Sequence, residues 1–213
     1  MSSHKQKLEK VEIWAEQMTE GRDASHAIEH FRRVREYTQQ ILAGLENDVA
    51  DIGEVDGFLV AETAALVHDV FDHKYVSDNA SGLDKMKEFL KSVELTEKEI
   101  DWVIEICENV SFSKEKKGKL NKDLPKHVML LRNIVSDADK LDAIGYDGIE
   151  RCRMYTRHRN PTGTEEEHER NVVEHMHDKL FRLLPYYIRT KPGKTIGAKL
   201  QREMLKYIED KIE

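Results

Sequence analysis

Three observations predict an all-α fold, a single-domain helical bundle. Apolar residues recur every three or four positions along most of the chain, the spacing that lines one face of a helix. No segment sustains the two-residue alternation of a half-buried strand. Breaks between the apolar stripes fall at glycine, proline or clusters of polar residues, where helices stop.

Taken in order, Leu8, Val11, Ala15 and Met18 predict a helix over 4–20, ended by Gly21. Asp23 or Ser25 can cap the next one, which carries Ile28, Phe31, Val34, Thr38, Ile41 and Leu45 on one stripe. The acidic stretch 46–57, with Gly53 and Gly57, is expected to be a loop. A helix from about Phe58 to Phe71 follows, then a polar, irregular segment over 72–82. Leu83, Met86, Phe89, Leu90 and Val93 mark a short helix. Thr96-Glu97-Lys98-Glu99 is a capping-box pattern ahead of Ile100, Val103, Ile104 and Cys107. Ser111 to Pro125 is rich in lysine and is expected to be a solvated loop, with a charged lid over phosphate as the alternative. Val128, Leu131, Ile134 and Val135 place a helix over about 126–141. Gly145 and Gly148 loosen a further helix to about Tyr155, and Asn160-Pro161-Thr162-Gly163 is a turn. Val172 to Leu184 gives another helix; Pro192-Gly193 is expected to break the chain before a last one carrying Leu200, Met204 and Ile208.

The 213 residues bury a sizeable core without disulfides. The two cysteines, Cys107 and Cys152, sit apart in helical patterns and read as buried thiols of a reducing compartment. No window has the length of a membrane span, and the amino-terminal residues lack the apolar run of a signal peptide, so a cytoplasmic location is expected. A net charge of −7 disfavours nucleic acid or anionic lipid as a partner. An anionic small molecule remains compatible where positive charge is local. The oligomeric state is left open.

The chemistry-bearing residues fall in three places. Ala64-Ala65-Leu66-Val67 is an apolar run that ends abruptly in His68-Asp69, then delivers Asp72, His73 and Lys74. Charged groups avoid interiors unless paired or bound to metal, so adjacent imidazole and carboxylate at the end of a buried helix suggest a cation site. His26 and His30 share a helix face at i and i+4; His30, beside the Phe31/Val34 stripe, is the better ligand candidate. In Asp137-Ala138-Asp139-Lys140-Leu141-Asp142 buried-type residues interrupt an acidic run, which turns some carboxylate toward the core edge; Asp139 is the candidate.

His30, His68-Asp69 and Asp139, in this order, resemble the H…HD…D signature of the HD superfamily of metal-dependent phosphohydrolases. His30-Phe31-Arg32-Arg33-Val34 is similar to its H-x-x-R-V element, and Asp137 to Gly145 closely resembles the D-A-D-x-L-D-A-x-G run of a bacterial-type branch. The resemblance covers about residues 20–210, with a motif core over about 20–145 and further helices over 146–213. It implies an HD-type helical bundle and one divalent cation held by His30, His68, Asp69 and Asp139. It also implies cleavage of a phosphorylated small molecule; the best single expectation is a nucleoside or deoxynucleoside triphosphate split to monophosphate and pyrophosphate with manganese.

Two imidazoles and two carboxylates independently suit Mn²⁺, Fe²⁺, Co²⁺, Ni²⁺ or Zn²⁺, with Mg²⁺ less suited because it prefers oxygen. In related phosphohydrolases a carboxylate at the place of Asp72 is a general acid or base; an exposed helix-end residue is the alternative. Arg33, Lys74 and Lys140 are candidates to neutralise phosphate oxygens, and each has nearby acidic residues as alternative partners. A guanosine tetraphosphate hydrolase would carry H-D-x-x-E-D, where this chain has Asp72 and His73. A binuclear cyclic-nucleotide phosphodiesterase would need further ligands, for which His73 or His127 are candidates. A catalytically idle module that binds metal and nucleotide and regulates a partner is the reading from another class.

Overall fold

The computed structural model of the chain describes residues 2–22, 28–50, 52–71 and 79–212. Among them the regular elements are all helices: α1 (His4–Met18), α2 (Ile28–Ala43), α3 (Glu46–Ala50), α4 (Gly57–Val67), α5 (Asn79–Ser92), α6 (Glu97–Asn109), α7 (Phe112–Lys116), α8 (Lys126–Asp142), α9 (Gly145–Arg159), α10 (Glu165–His175), α11 (Phe181–Tyr186) and α12 (Lys191–Ile212). A π-helical turn over Met176–Leu180 joins α10 to α11. None of the described helices is long and apolar enough to cross a membrane.

Two helices lie at the centre. Ten of the eleven residues of α4 are buried, as a helix packed on every side requires, and its one charged member, Glu62, accepts from Arg35 at 2.8 Å and Gln39 at 2.7 Å. It starts where the Asp56 carboxylate accepts from Leu59 N at 3.0 Å. α8 packs against α2, α4, α6, α9 and α12, and Leu131, Ile134, Val135, Ala138 and Leu141 have no exposed surface. Adjacent walls of the core come from α2, with Phe31, Val34 and Ile41, and from α6, with Ile100, Val103 and Ile106. The capping boxes of α1 and α6 form as their Ser3…Gln6 and Thr96…Glu99 spacings require.

Six expectations are corrected. The stretch 46–57 contains α3, because Val49 is buried. α3 and the turn after it crowd the start of α4: a Cβ on Gly57 would meet Val49 at 2.8 Å and Ile52 at 2.2 Å. Within 72–82, residues 79–82 already belong to α5; 72–78 lie outside the described residues. The lysine-rich stretch contains α7, capped by Ser111 and anchored by the buried Glu115 side chain. Pro192-Gly193 does not break the chain but sits in the first turn of α12, where the missing proline N–H has no helical acceptor to lose. Thr190 Oγ1 accepts from Gly193 N at 3.1 Å there. The buried Asp137 carboxylate in turn accepts from Arg189 N at 2.8 Å and Thr190 N at 2.7 Å, tying the start of α12 to α8. Finally, the motif helix ends at Val67, four residues early. Arg22 donates to the carbonyls of Asp69 at 3.0 Å and Val70 at 2.5 Å, so residues 68–71 follow turns instead. The cysteines are free and only half-buried.

The carboxy-terminal helices are braced by an ion cluster. Arg153 on α9 donates to Glu169 of α10 at 2.7 Å and to the Tyr207 hydroxyl of α12 at 2.8 Å; Tyr207 also donates to Glu169, and Lys211 lies 3.0 Å from it. Burial alone would raise the Glu169 pKa, but these donors overcome it and hold the carboxyl at about 2. A carboxylate depressed in the folded state stabilises fully above its unfolded pKa, and that stability is lost as pH falls through the folded value. Glu169→Gln is therefore expected to cost about 2 kcal/mol at neutral pH in urea unfolding. The gap between variant and wild type should close between about pH 4.5 and the folded value of about 2. A pH-independent gap would count against it.

Candidate metal centre

α8 carries three aspartates with three different tasks, sorted by helix geometry. At about 100° per residue, Asp139 and Asp142 point only about 60° apart, whereas Asp137 faces the start of α12. Asp139 and Asp142 both reach His30 of α2. Asp139 Oδ1 lies 3.6 Å from His30 Nε2 and 3.7 Å from His68 Nε2. Asp142 Oδ2 lies 2.7 Å from His30 Nδ1, the opposite ring nitrogen.

His68 caps α4 and leaves the helix with its Nδ1 2.7–3.2 Å bonding range filled by Ala65 O, at 3.0 Å. That bond makes Nδ1–H the donor and turns Nε2 toward the carboxylates. Asp69 Oδ2 is 3.8 Å from it. His30, His68 and Asp69 offer three ligand atoms that all lie within 4.8 Å of one another. The His68 side chain is 1% exposed, and its Nε2 has no hydrogen-bond partner. A buried polar atom left this way costs free energy unless something else meets it.

The electrostatics point the same way. Burial opposes a charge on His68, yet Asp69 and Asp139 overcome it and the pKa is pushed up to about 9. The pocket thus stabilises positive charge at the nitrogen that lacks a partner. Donor types, convergence and field fit a divalent cation between His30, His68 and Asp69, with Asp139 Oδ1 3.6 and 3.7 Å from the two imidazoles.

Around the cluster lies a layer of orienting groups that sequence reasoning missed. Asp142 is held by Arg33 Nε at 2.6 Å and by Arg151 of α9. Burial would raise its pKa, but His30, Arg151 and Arg33 bring it below the usual carboxylate range. An ionised Asp142 accepts a hydrogen bond from His30 Nδ1–H and fixes the ring with Nε2 toward His68 and Asp139. The sequence signal was the three-residue step from Asp139 to Asp142, which returns to the same helix face. Arg22, which shapes the turn at Asp69, left no comparable signal, because its acceptors are backbone carbonyls. Asp142→Asn is expected to weaken Mn²⁺ binding about 10–100-fold, as loss of an outer partner of a ligating histidine does. Equilibrium titration of the metal-free protein tests it; an unchanged affinity would remove Asp142 from this role.

The remaining candidates separate. Arg33 lies beside the cluster but pairs with Asp142, its side chain 30% exposed. Lys140 is corrected: it is 2% exposed, with Nζ bonded to Ser136 and 2.9 Å from Glu115, and has no open face for a substrate. Its direction, about 100° around α8 from Asp139, takes it out of the cluster. His127 stands three turns before Asp139 on α8, about 18 Å along the axis. His26, Asp72, His73 and Lys74 lie outside the described residues.

No family model matches the chain. A curated relative, the uncharacterised protein YpgQ of Bacillus subtilis, is 30% identical over 147 residues, which are 69% of this chain and 65% of that protein's length. Among solved structures, Bacillus subtilis YpgQ in complex with ADP superposes with a TM-score of 0.70 at 24% identity, over 97% of this chain and 94% of that one. An HD-superfamily hydrolase from Bacillus thuringiensis gives 0.70 at 24% identity, over 99% and 97% of the two chains. The chain therefore shares the all-helical fold of these proteins, one of them an HD-superfamily hydrolase.

Proposed function

We propose that this protein is a metal-dependent phosphohydrolase of the HD superfamily acting on nucleotides. The observation that carries the reading is the convergence of His30, His68 and Asp69 around a buried imidazole nitrogen without a partner. The ADP complex of a protein with the same fold supports a nucleotide as ligand. The finer proposal is cleavage of a nucleoside or deoxynucleoside triphosphate to the monophosphate and pyrophosphate, with manganese as metal.

In this reading His30, His68, Asp69 and Asp139 hold the cation. When bound, it draws negative charge from the phosphoryl group and acidifies water. The chain's own groups do the rest. Asp142 and Ala65 O keep both imidazoles aimed inward. Arg33 adds positive charge at the rim, and Lys74 is proposed to meet a phosphate oxygen. Asp72 is proposed to carry the proton.

The test is a panel of nucleoside mono-, di- and triphosphates, each with Mn²⁺, Co²⁺, Ni²⁺, Fe²⁺ or Mg²⁺, with phosphate and pyrophosphate resolved as products. Pyrophosphate from a triphosphate is the expected result. Orthophosphate instead keeps the class and moves the bond cleaved. Turnover of no ester or anhydride with any of the metals would replace the enzyme by a catalytically idle nucleotide-binding module.

A further inference from the structure

The lysine-rich stretch builds a second charged centre against α8, with Arg132 about two turns before Asp139 along the helix. Glu115 of α7, Arg132 and Lys140 of α8, and Arg189 just before α12 meet there. Three cations share one carboxylate. Glu115 Oε1 accepts from Arg189 at 2.8 Å, and its Oε2 lies 2.9 Å from Lys140 Nζ. Arg132 is left with the long edge, its Nη2 3.8 Å from Glu115 Oε2. That guanidinium is 4% exposed, donates through Nε to Asn109 O at 2.7 Å and through Nη1 to Asn133, and has no acceptor for Nη2. The other nearby carboxylate, Asp137, is taken by the backbone of Arg189 and Thr190.

A cavity of about 340 Å³ opens onto this centre. Arg132, Arg189, Lys122, Asn121 and Asn133 line it, with Glu115 as its acidic member. No aromatic side chain is among its lining residues, so nothing there recognises a base by stacking. Guanidinium forks and amide donors match the oxygens of phosphate, and the volume suits a small oxyanion. Burial lowers Arg132 below the usual guanidinium range despite Glu115, and Arg189 adds to it; a further anion would relieve that repulsion.

We propose that this cavity is a second ligand site, for a phosphate-type oxyanion such as inorganic phosphate or pyrophosphate, separate from the His30, His68 and Asp69 cluster. Arg132 and Asp139 are seven positions apart on α8, so their levels differ by about 10.5 Å along the helix axis. The site does not depend on the proposed hydrolytic activity. Excess cationic charge explains why Glu115 folds inward from an otherwise basic stretch: it occupies part of the field that the oxyanion would complete.

The experiment is calorimetric titration of pyrophosphate into metal-free protein in EDTA, at low salt. Wild type and His68→Ala are expected to bind one ion per chain with the same affinity. Arg132→Gln should weaken binding about a hundredfold, the equivalent of one buried charge-assisted contact. Lys122→Gln, at an exposed position where folding is not at risk, should weaken it about fivefold. Glu115→Gln should tighten it, because the change removes the negative charge that competes for the same cations. No binding by wild type, loss of binding in His68→Ala, or affinity indifferent to both Lys122→Gln and Glu115→Gln would each overturn the proposal.

Discussion

Asp69→Asn is expected to abolish Mn²⁺ loading and, with it, the proposed phosphohydrolase activity. The change keeps the volume of the side chain and removes its charge. Asp69 is 25% exposed on a turn whose backbone is held by Arg22, so the fold should survive, as circular dichroism can show. Asp69 Oδ2 belongs to the compact set of three ligand atoms, and a neutral amide is a far weaker ligand for a hard divalent cation. The affinity loss should exceed the roughly 10–100-fold attached to an orienting partner such as Asp142. His68→Ala should give the same loss but also opens a cavity beside Phe31, whose ring lies edge-on to it, so the isosteric aspartate change is the cleaner test. Full metal content in Asp69→Asn, measured by elemental analysis after dialysis, would refute the ligand assignment.

The second large effect concerns Asp72. Water attacking phosphorus needs a group to take its proton, or the leaving oxygen needs one to receive it. A positioned carboxylate typically contributes about 10²–10⁴-fold to the rate. Asp72 follows Asp69 by three residues, which limits their Cα separation to about 10–11 Å. α4 itself ends at Val67, before both residues. Asp72→Asn is expected to keep wild-type metal content and near wild-type substrate binding while kcat falls by that factor. Metal lost together with activity would make Asp72 a ligand. If both stay near wild type, the proton carrier is a different residue.

α2 and α8 were legible because apolar residues recur along them at the helical period, whereas α4, buried on every side, was marked by its continuous apolar run. On α2, α6 and α8 most marked residues, such as Phe31, Val103 and Leu131, are buried, whereas Ile28 and Cys107 are only half-buried and Leu42, Ile106, Arg132 and Lys140 are buried without being marked. Short elements escaped. α3 and α7 have five residues each, too few to show a period; α3 is held by Val49, and α7 by Glu115 and by Phe112, whose ring meets Tyr187. Pro192-Gly193 misled because the same dipeptide that stops a helix is well accepted at its first turn.

Residue order alone determined the types of group available for a cation: imidazole on α2, imidazole and carboxylate at the end of α4, carboxylates on α8. These depend on spacing within single helices, which one strand of sequence carries completely. Which partner each group meets was decided only by packing. Asp142 of α8 and Arg33 of α2, 109 residues apart, form one pair because their helices touch. Lys140 has the composition of a phosphate ligand, and its neighbour Glu115 makes it a buried ion-pair member instead. Arg22 acts on carbonyls, which every residue has, so no side-chain pattern announces it. Local periodicity is a property of one helix; charge pairing between helices depends on the direction of each side chain after the core has closed.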